Sequence, residues 1–269
     1  MIVKKKPAMK PKRLIVERSE RVTPYMQRIT FSGEDIRQFP AESLGGYVKF
    51  MFNDGGGTHI EIRDDMPRPT LRTYTIKALD TDKARLVVDF VCHGDGGNVE
   101  TSGVAGSWAM RVKPGESLFV GGPGVLQPIN MDTDFKVFAA DMTALPAVSV
   151  QLSKLAPETK GIAVIEVATK ADVQPLVSPE GVQIVWVFAD GEHALSEVVR
   201  DQVLPENPSL TVWCACEFNQ MRAIRRFITD NYTLPRENTY FSSYWKEGVT
   251  EDGHKVFKRE DAESLKAQS

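Results

Sequence analysis

Arg72, Tyr74 and Thr75 fall within four residues of one another in the stretch RPTLRTYTIKALD (68–80), a run of strand character. Side chains alternate between the two faces of a strand, so Arg72 and Tyr74 share one face, about 7 Å apart, while Thr73 and Thr75 take the other. A guanidinium fork binds phosphate oxygens in pairs, and a phenol ring offers a flat apolar surface. The pair suits a ligand with phosphate at one end and an aromatic ring system at the other; without a ligand it is an ordinary cross-strand pair on a barrel. Downstream, DFVCHGDGGNVETSGVAGSWAMRVKPGESLFVGGPG (89–124) runs a glycine-rich loop into a short helical segment. A helix starting near Gly106, Ser107 and Trp108 would turn unpaired N–H groups and a hydroxyl toward a diphosphate. His93, at a strand end, suits stacking on a nucleotide or a plain surface position.

The elements that must hold these residues change character along the chain. From Leu14 to about Val125, seven short β-type runs are separated by turn residues: RLIVERSE, YMQRITFSG, YVKFMFNDGGG, HIEIRDD, LRTYTIKALD, RLVVDFVCHGDGG and ESLFVGGPG. That rhythm predicts an antiparallel barrel or sandwich. After Pro128, apolar runs (FKVFAAD, GIAVIEVAT, VQIVWVFAD, LTVWCACE) alternate with segments of helical period such as TALPAVSVQLSKLAP, HALSEVVRDQV and NQMRAIRRFITDNY. Such alternation predicts a parallel sheet covered on both faces. The expected fold is thus two-domain, β plus α/β: an antiparallel β-barrel over 1–130, then a parallel α/β domain over 131–269 that ends in an aromatic patch, YFSSYWKEG, and a charged amphipathic helix from about Thr250.

Composition limits the chemistry. A net charge of −3 argues against nonspecific nucleic-acid binding, and no apolar run is long enough to span a bilayer. The N-terminal MIVKKKPAMKPKRLIVERSE is basic but lacks the apolar core and cleavage site of a secretory signal, so a cytoplasmic protein is expected. Three cysteines, Cys92, Cys214 and Cys216, supply neither a disulfide framework nor a four-thiolate iron–sulfur site within one chain, and all three lie in apolar runs where buried packing is expected. The second domain has no G-x-G-x-x-G, so the usual dehydrogenase fingerprint is absent. Asp141 and Thr143 precede a helical pattern and suit a helix cap. Arg222, Arg225 and Arg226 suit either a 2′-phosphate or an exposed helix face.

In order, R-x-Y-T, D-F-V-x-H-G-D-G, S-W-A and G-G-P-G, followed by AADMTALPAV, CACEFNQMRAIRRF and SYWKEGVTEDGHKVFKRE, the chain resembles the siderophore-interacting proteins, a branch of the ferredoxin-NADP reductase superfamily with FAD in the barrel. The resemblance runs through nearly the whole chain. It implies FAD contacts at Arg72 (phosphates), Tyr74 (isoalloxazine) and Thr75 (near the flavin N5), at Phe90 and Val91, and at His93, Gly94, Ser107, Trp108 and Ala109 around the diphosphate and adenine. Because alternation puts the Thr75 side chain on the other face, its contact would run through the backbone N–H or need a twist of the strand. In the second domain the resemblance implies nicotinamide-nucleotide contacts near Asp141, Thr143, Ala144 and Glu217.

The activity that the resemblance implies is reduction of a ferric siderophore by NADPH or NADH through FAD, with reduced ferredoxin as another donor. It needs no resident metal and no protein acid or base. A cationic bowl would hold the anionic complex, with Lys49 and Lys246 at the matching positions. Many members carry another basic residue after the Gly-Pro turn, where this chain reads GGPGVLQ, and His254, Lys255, Lys258 and Arg259 on the tail helix are the candidates to compensate. The chain is expected to act as a monomer without membrane or nucleic-acid partners. A general NAD(P)H-dependent flavin or ferredoxin reductase and a non-catalytic siderophore- or flavin-binding protein are the competing readings.

Overall fold

The computed structural model describes residues 10–60, 68–92, 103–205 and 209–268. The chain divides into two compact units, residues 1–126 and 127–269.

The first unit is a seven-stranded antiparallel sheet. Its strands are β1 (Lys12–Thr23), β2 (Met26–Ser32), β3 (Tyr47–Phe52), β4 (Thr70–Thr75), β5 (Ala78–Asp80), β6 (Arg85–Val91) and β7 (Ser117–Gly124), in the spatial order β4-β3-β7-β1-β2-β6-β5. Alternation sets which side chains face inward. In β3, Val48, Phe50 and Phe52 are buried while Tyr47, Lys49 and Met51 are half-exposed. The inner residues form an aromatic core in which Trp108, on the helix α1 (Gly103–Ala109), meets Phe31, Phe50, Phe52 and Phe90 with ring centroids 5.8–6.3 Å apart. Such rings bury large areas and fix their neighbours' geometry. The close pairing of β3 with β7 depends on glycine: a Cβ on Gly124 would lie 2.2 Å from the Tyr47 ring. One buried ion cluster lies on this sheet, where Asp89 of β6 accepts both arms of Arg28 of β2 at 2.7 and 2.8 Å, with Lys77 at 3.8 Å.

The run HIEIRDD, expected as a strand, carries no strand at His59 and Ile60, and the rest of it lies outside the described residues.

The second unit is a five-stranded parallel sheet built from β8 (Phe135–Ala140), β9 (Gly161–Val167), β10 (Val182–Phe188), β11 (Leu210–Glu217) and β12 (Thr239–Trp245), in the order β10-β9-β8-β11-β12. Helices α2 (Leu145–Ser153), α3 (Leu195–Arg200) and α4 (Phe218–Asn231) connect them, and α5 (Glu251–Gln268) follows β12. The strands read as continuous apolar runs because both faces are covered: seven of the eight residues of β11 are buried. Cys214 and Cys216 are among them, and Cys92 is buried in the first unit, as expected of packing residues. The aromatic patch before the tail turns out to be the fifth strand. No α-helix joins β9 to β10; the crossover carries a single 3-10 turn, Lys170–Asp172.

Chain order in the sheet runs outward from β8 in both directions, so the direction of winding reverses between β8 and β11. In open α/β sheets that reversal leaves a crevice outside the carboxyl ends of the two strands, where ligands bind. Here those ends are Ala140–Asp141 and Glu217.

Candidate functional site

In the barrel, β4 is an edge strand: among the described residues, β3 alone pairs with it. The register places Arg72 opposite Phe50 and Tyr74 opposite Val48, so both face the core side; Thr73 opposes Lys49 and Thr75 opposes Tyr47 on the other side. At the edge the core side is incompletely covered, which leaves Arg72 and Tyr74 half-buried. Phe90 backs the Tyr74 ring at 4.3 Å between centroids, and Phe50 meets it edge-on at 5.7 Å. The Arg72 guanidinium donates to the Leu71 carbonyl at 2.8 Å. A planar surface with a cationic fork two residues away therefore lines this edge.

The other expected barrel residues are less uniform. Thr75 is buried on the outer side. Phe90 is fully buried behind Tyr74, and Val91 is half-buried at the strand end. His93 and Gly94 lie outside the described residues. Helix α1 begins at Gly103, three residues earlier than expected, so Ser107 sits in its second turn rather than at its N-terminus. Gly103 has φ +68°, which a residue without a side chain adopts at no steric cost and which sets the entry into the helix. Of the residues expected around the diphosphate and adenine, Trp108 is a core residue and Ala109 beside it has no exposure.

In the second unit, the residues at the crevice are tied to one another. Asp141 Oδ1 accepts from Thr143 N at 2.9 Å, Thr143 Oγ1 at 2.5 Å and Ala144 N at 3.3 Å; its Oδ2 accepts from Trp245 Nε1 at 2.7 Å. Asp141 thus closes the turn between β8 and α2 rather than capping the helix, whose N-cap is Ala144 with no side-chain cap bond, and it also holds an indole 104 residues away. Burial pushes the Asp141 carboxyl above its usual range against the pull of those bonds. Glu217 Oε2 caps α4, accepting from Asn219 N at 2.5 Å and Gln220 N at 3.1 Å. On β9, beside β8, the half-buried Glu166 carboxyl is raised by burial and by the field of Asp141, with Glu217 adding to it.

The expected cations differ in availability. Lys49 lies on the outer face of β3, 5.8 Å from the Tyr47 ring. Lys246 Nζ is held 4.8 Å from the Phe218 ring and 5.1 Å from the Phe257 ring, with Asn219 Oδ1 at 3.3 Å. Lys255 is exposed, 3.9 Å from Glu251. His254 is not the exposed cation expected: it is 4% exposed, shares a 2.8 Å hydrogen bond with Ser243 Oγ, and its pKa is pushed down to about 4 by burial and then by Lys258. A neutral, enclosed imidazole cannot attract an anion. Lys258 turns its ammonium back onto the Ser243 carbonyl at 2.9 Å and Ser242 Oγ at 3.2 Å, and burial lowers its pKa. Sequence reasoning missed the Trp245–Asp141, His254–Ser243 and Arg225–Asp261 contacts. Each joins separate elements, and no local spacing signals them.

Residues 15–127 match the model of the siderophore-interacting FAD-binding domain, and residues 133–248 match that of the siderophore-interacting protein. Over 256 residues the chain is 30% identical to ferric vibriobactin reductase ViuB of Vibrio cholerae, covering 91% of this chain and 92% of that protein. The chain belongs to the siderophore-interacting protein family. The siderophore-interacting protein SipS from Aeromonas hydrophila has a similar structure, with a TM-score of 0.79 and 30% identity over 94% of this chain and all of that one. The NADPH-dependent ferric-chelate reductase of Escherichia coli is 28% identical over 244 residues, 86% of this chain and 91% of that protein. In this siderophore-interacting protein the family models span β4, β6, α1, Asp141, Glu217 and Lys246 but stop short of α5, so His254, Lys255 and Lys258 lie beyond them.

Proposed function

We propose that this chain is an FAD-dependent ferric-siderophore reductase: electrons from NAD(P)H pass through FAD to Fe(III) in a siderophore complex, and iron leaves as Fe(II). The observation that carries the reading is the similarity to a ferric vibriobactin reductase over 91% of this chain, and we take its two domains as 1–130 and 131–269. The barrel edge fits the cofactor by its chemistry. Arg72 offers a fork to phosphate oxygens, and Tyr74, backed by Phe90, offers a flat apolar face. FAD, when bound, supplies acceptance of a hydride from a nicotinamide and delivery of single electrons to a metal.

The protein's remaining task is to hold. Siderophores ligate Fe(III) through hard oxygen donors, and reduction weakens that ligation. Lys49 and Lys246 are the cations we assign to the anionic complex, with Lys255 as an accessory. Asp141 and Glu217 shape the crevice that receives the nicotinamide nucleotide by fixing the turns that follow β8 and β11. No side chain is needed as acid, base or nucleophile. We place the activity in the cytoplasm, where three thiols without a disulfide fit a reducing compartment, in a monomer whose alternative donor is reduced ferredoxin. Among the described residues, no helix is long and apolar enough to cross a membrane.

The test is an anaerobic visible spectrum of the FAD-loaded protein before and after a nicotinamide donor, then after a ferric siderophore. Bleaching by the donor, then recovery as Fe(II) appears in a chelator, is expected. Bleaching without recovery by any ferric siderophore would move the reading to a general flavin reductase. Arg72→Ala is expected to weaken FAD binding at least about tenfold, the size of a lost charge-assisted hydrogen bond. Unchanged affinity would remove Arg72 from the site.

A further inference from the structure

Helix α4 carries three guanidiniums in five residues, and each meets a carboxylate of its own chain. Arg225 Nη1 and Nη2 donate to Asp261 Oδ2 and Oδ1 of α5, both at 2.8 Å, and Arg222 Nε stands 3.2 Å from the same Oδ1. Arg226 Nε lies 3.5 Å from Asp230 one turn on. The Asp261 side chain is only 9% exposed, whereas that of Arg222 is 56% exposed. Together these residues line a groove of about 590 Å³ between α4 and α5.

The position of Arg222 gives the pairing its consequence. Helix α4 leaves β11 at the crevice, and the Arg222 guanidinium lies 5.7 Å from the ring of Phe218, the helix's first residue. It is the first guanidinium along α4 on the way out of the crevice. The crevice itself carries carboxylates: Asp141 takes the N–H groups of the turn before α2, Glu217 takes those that begin α4, and Glu166 on β9 feels the field of both. Of the cations following the strands at this end, Lys246 is drawn onto Phe218, Phe257 and Asn219, and Lys170 is exposed in the turn after β9. A 2′-phosphate adds about −1.5 to −2 charges, and it is recognised best by a guanidinium fork.

We infer that Asp261 sets the choice of electron donor: by engaging Arg222 and Arg225 it withdraws these two guanidiniums from the 2′-phosphate of NADPH, and the chain uses NADH in preference. The inference rests on the reductase reading. It separates this chain from a relative named for NADPH.

Two measurements on the full chain test it. With the FAD-loaded protein, kcat/KM for NADH is expected to exceed that for NADPH at least tenfold. In calorimetric titrations without turnover, adenosine 2′,5′-bisphosphate is expected to bind no tighter than 5′-AMP. Asp261→Asn releases both guanidiniums and is expected to strengthen bisphosphate binding five- to tenfold, leave 5′-AMP unchanged, and lower KM for NADPH without altering kcat. Arg222→Gln in the otherwise native chain is expected to leave the donor ratio alone, and this holds even if Asp261→Asn does not fold. A native protein that prefers NADPH, or binds the bisphosphate tenfold tighter than 5′-AMP, overturns the inference. So does a folded Asp261→Asn protein with unchanged bisphosphate affinity, or loss of NADPH use in Arg222→Gln. If native protein binds neither adenosine phosphate, the gain or its absence in Asp261→Asn decides. Failure of both donors to bleach the flavin would instead count against the nicotinamide-driven reductase.

Discussion

The two units treat the polar groups at their candidate sites in opposite ways. Along β4, Arg72 and Tyr74 stand half-exposed at a sheet edge with an aromatic wall behind them. At the crevice of the α/β unit, Asp141 is 4% exposed and accepts four hydrogen bonds from its own chain. The barrel edge leaves its groups half-exposed, whereas the crevice buries Asp141 and uses its groups to fix its own turns. A presented cradle suits a cofactor that stays, and a self-satisfied crevice suits a donor that binds briefly and leaves.

The largest expected effect tests whether Trp108 belongs with the presented groups or with the core. As a core ring touching four aromatic neighbours, Trp108→Ala should cost about 3–5 kcal/mol of unfolding free energy. Denaturant unfolding of the FAD-free protein measures this. Loss of FAD affinity at unchanged stability would break the comparison by returning Trp108 to the ligand side.

Asp141→Ala sharpens the other half. It leaves the Trp245 indole N–H and the Thr143 and Ala144 N–H groups without their acceptor, at about 2–3 kcal/mol. Unfolding should shift accordingly while FAD binding to the barrel stays the same. A variant of native stability with a raised KM for the nicotinamide donor would make Asp141 a ligand rather than a brace.

His254 gives the crevice unit a pH signature. Its pKa is about 4 folded against 6.5 in the ordinary state, so between those values the unfolded chain binds more protons. Stability is therefore full above about pH 6.5 and is lost as pH falls toward 4, on the order of 3 kcal/mol in all. In His254→Gln that slope should flatten. An unchanged slope would mean that other groups carry the acid sensitivity of this unit.

The sequence disclosed what local pattern controls. Alternation in YVKFMF and LRTYT places the inner and outer faces of β3 and β4 correctly, and the two-residue period puts Arg72 beside Tyr74. The apolar runs of the second half disclose its parallel strands, except that β12, half-exposed along most of its length, reads as an aromatic patch. What stayed hidden depends on contacts between distant segments. Ser107 looked like the start of a helix because Gly103 and Gly106, poor helix formers, flank only Val104 and Ala105; packing of Ala105 and Trp108 into the barrel overrides that weakness. His254 looked like one cation among several, and only the docking of α5 on β12 shows it enclosed. Arg222 and Arg225 looked like a solvated helix face, and Asp261 lies 36 residues beyond Arg225.

The smallest expected effect separates two lysines on α5, three residues apart. Lys255 meets Glu251 at 3.9 Å across one exposed helical turn, an arrangement worth about 0.3–0.5 kcal/mol. Lys258 donates its ammonium to the end of β12, so its removal strips an acceptor of a charge-assisted partner. Lys255→Gln should therefore unfold almost as the native chain does, and Lys258→Gln should unfold more readily. The order reverses for an anionic ferric siderophore: its KM should rise in Lys255→Gln, and more steeply at low salt, where an exposed charge acts at longer range. If Lys258→Gln is the variant that loses substrate affinity while keeping native stability, the tail helix presents the cation that the structure shows turned inward, and the contrast between presented and engaged groups does not extend to α5.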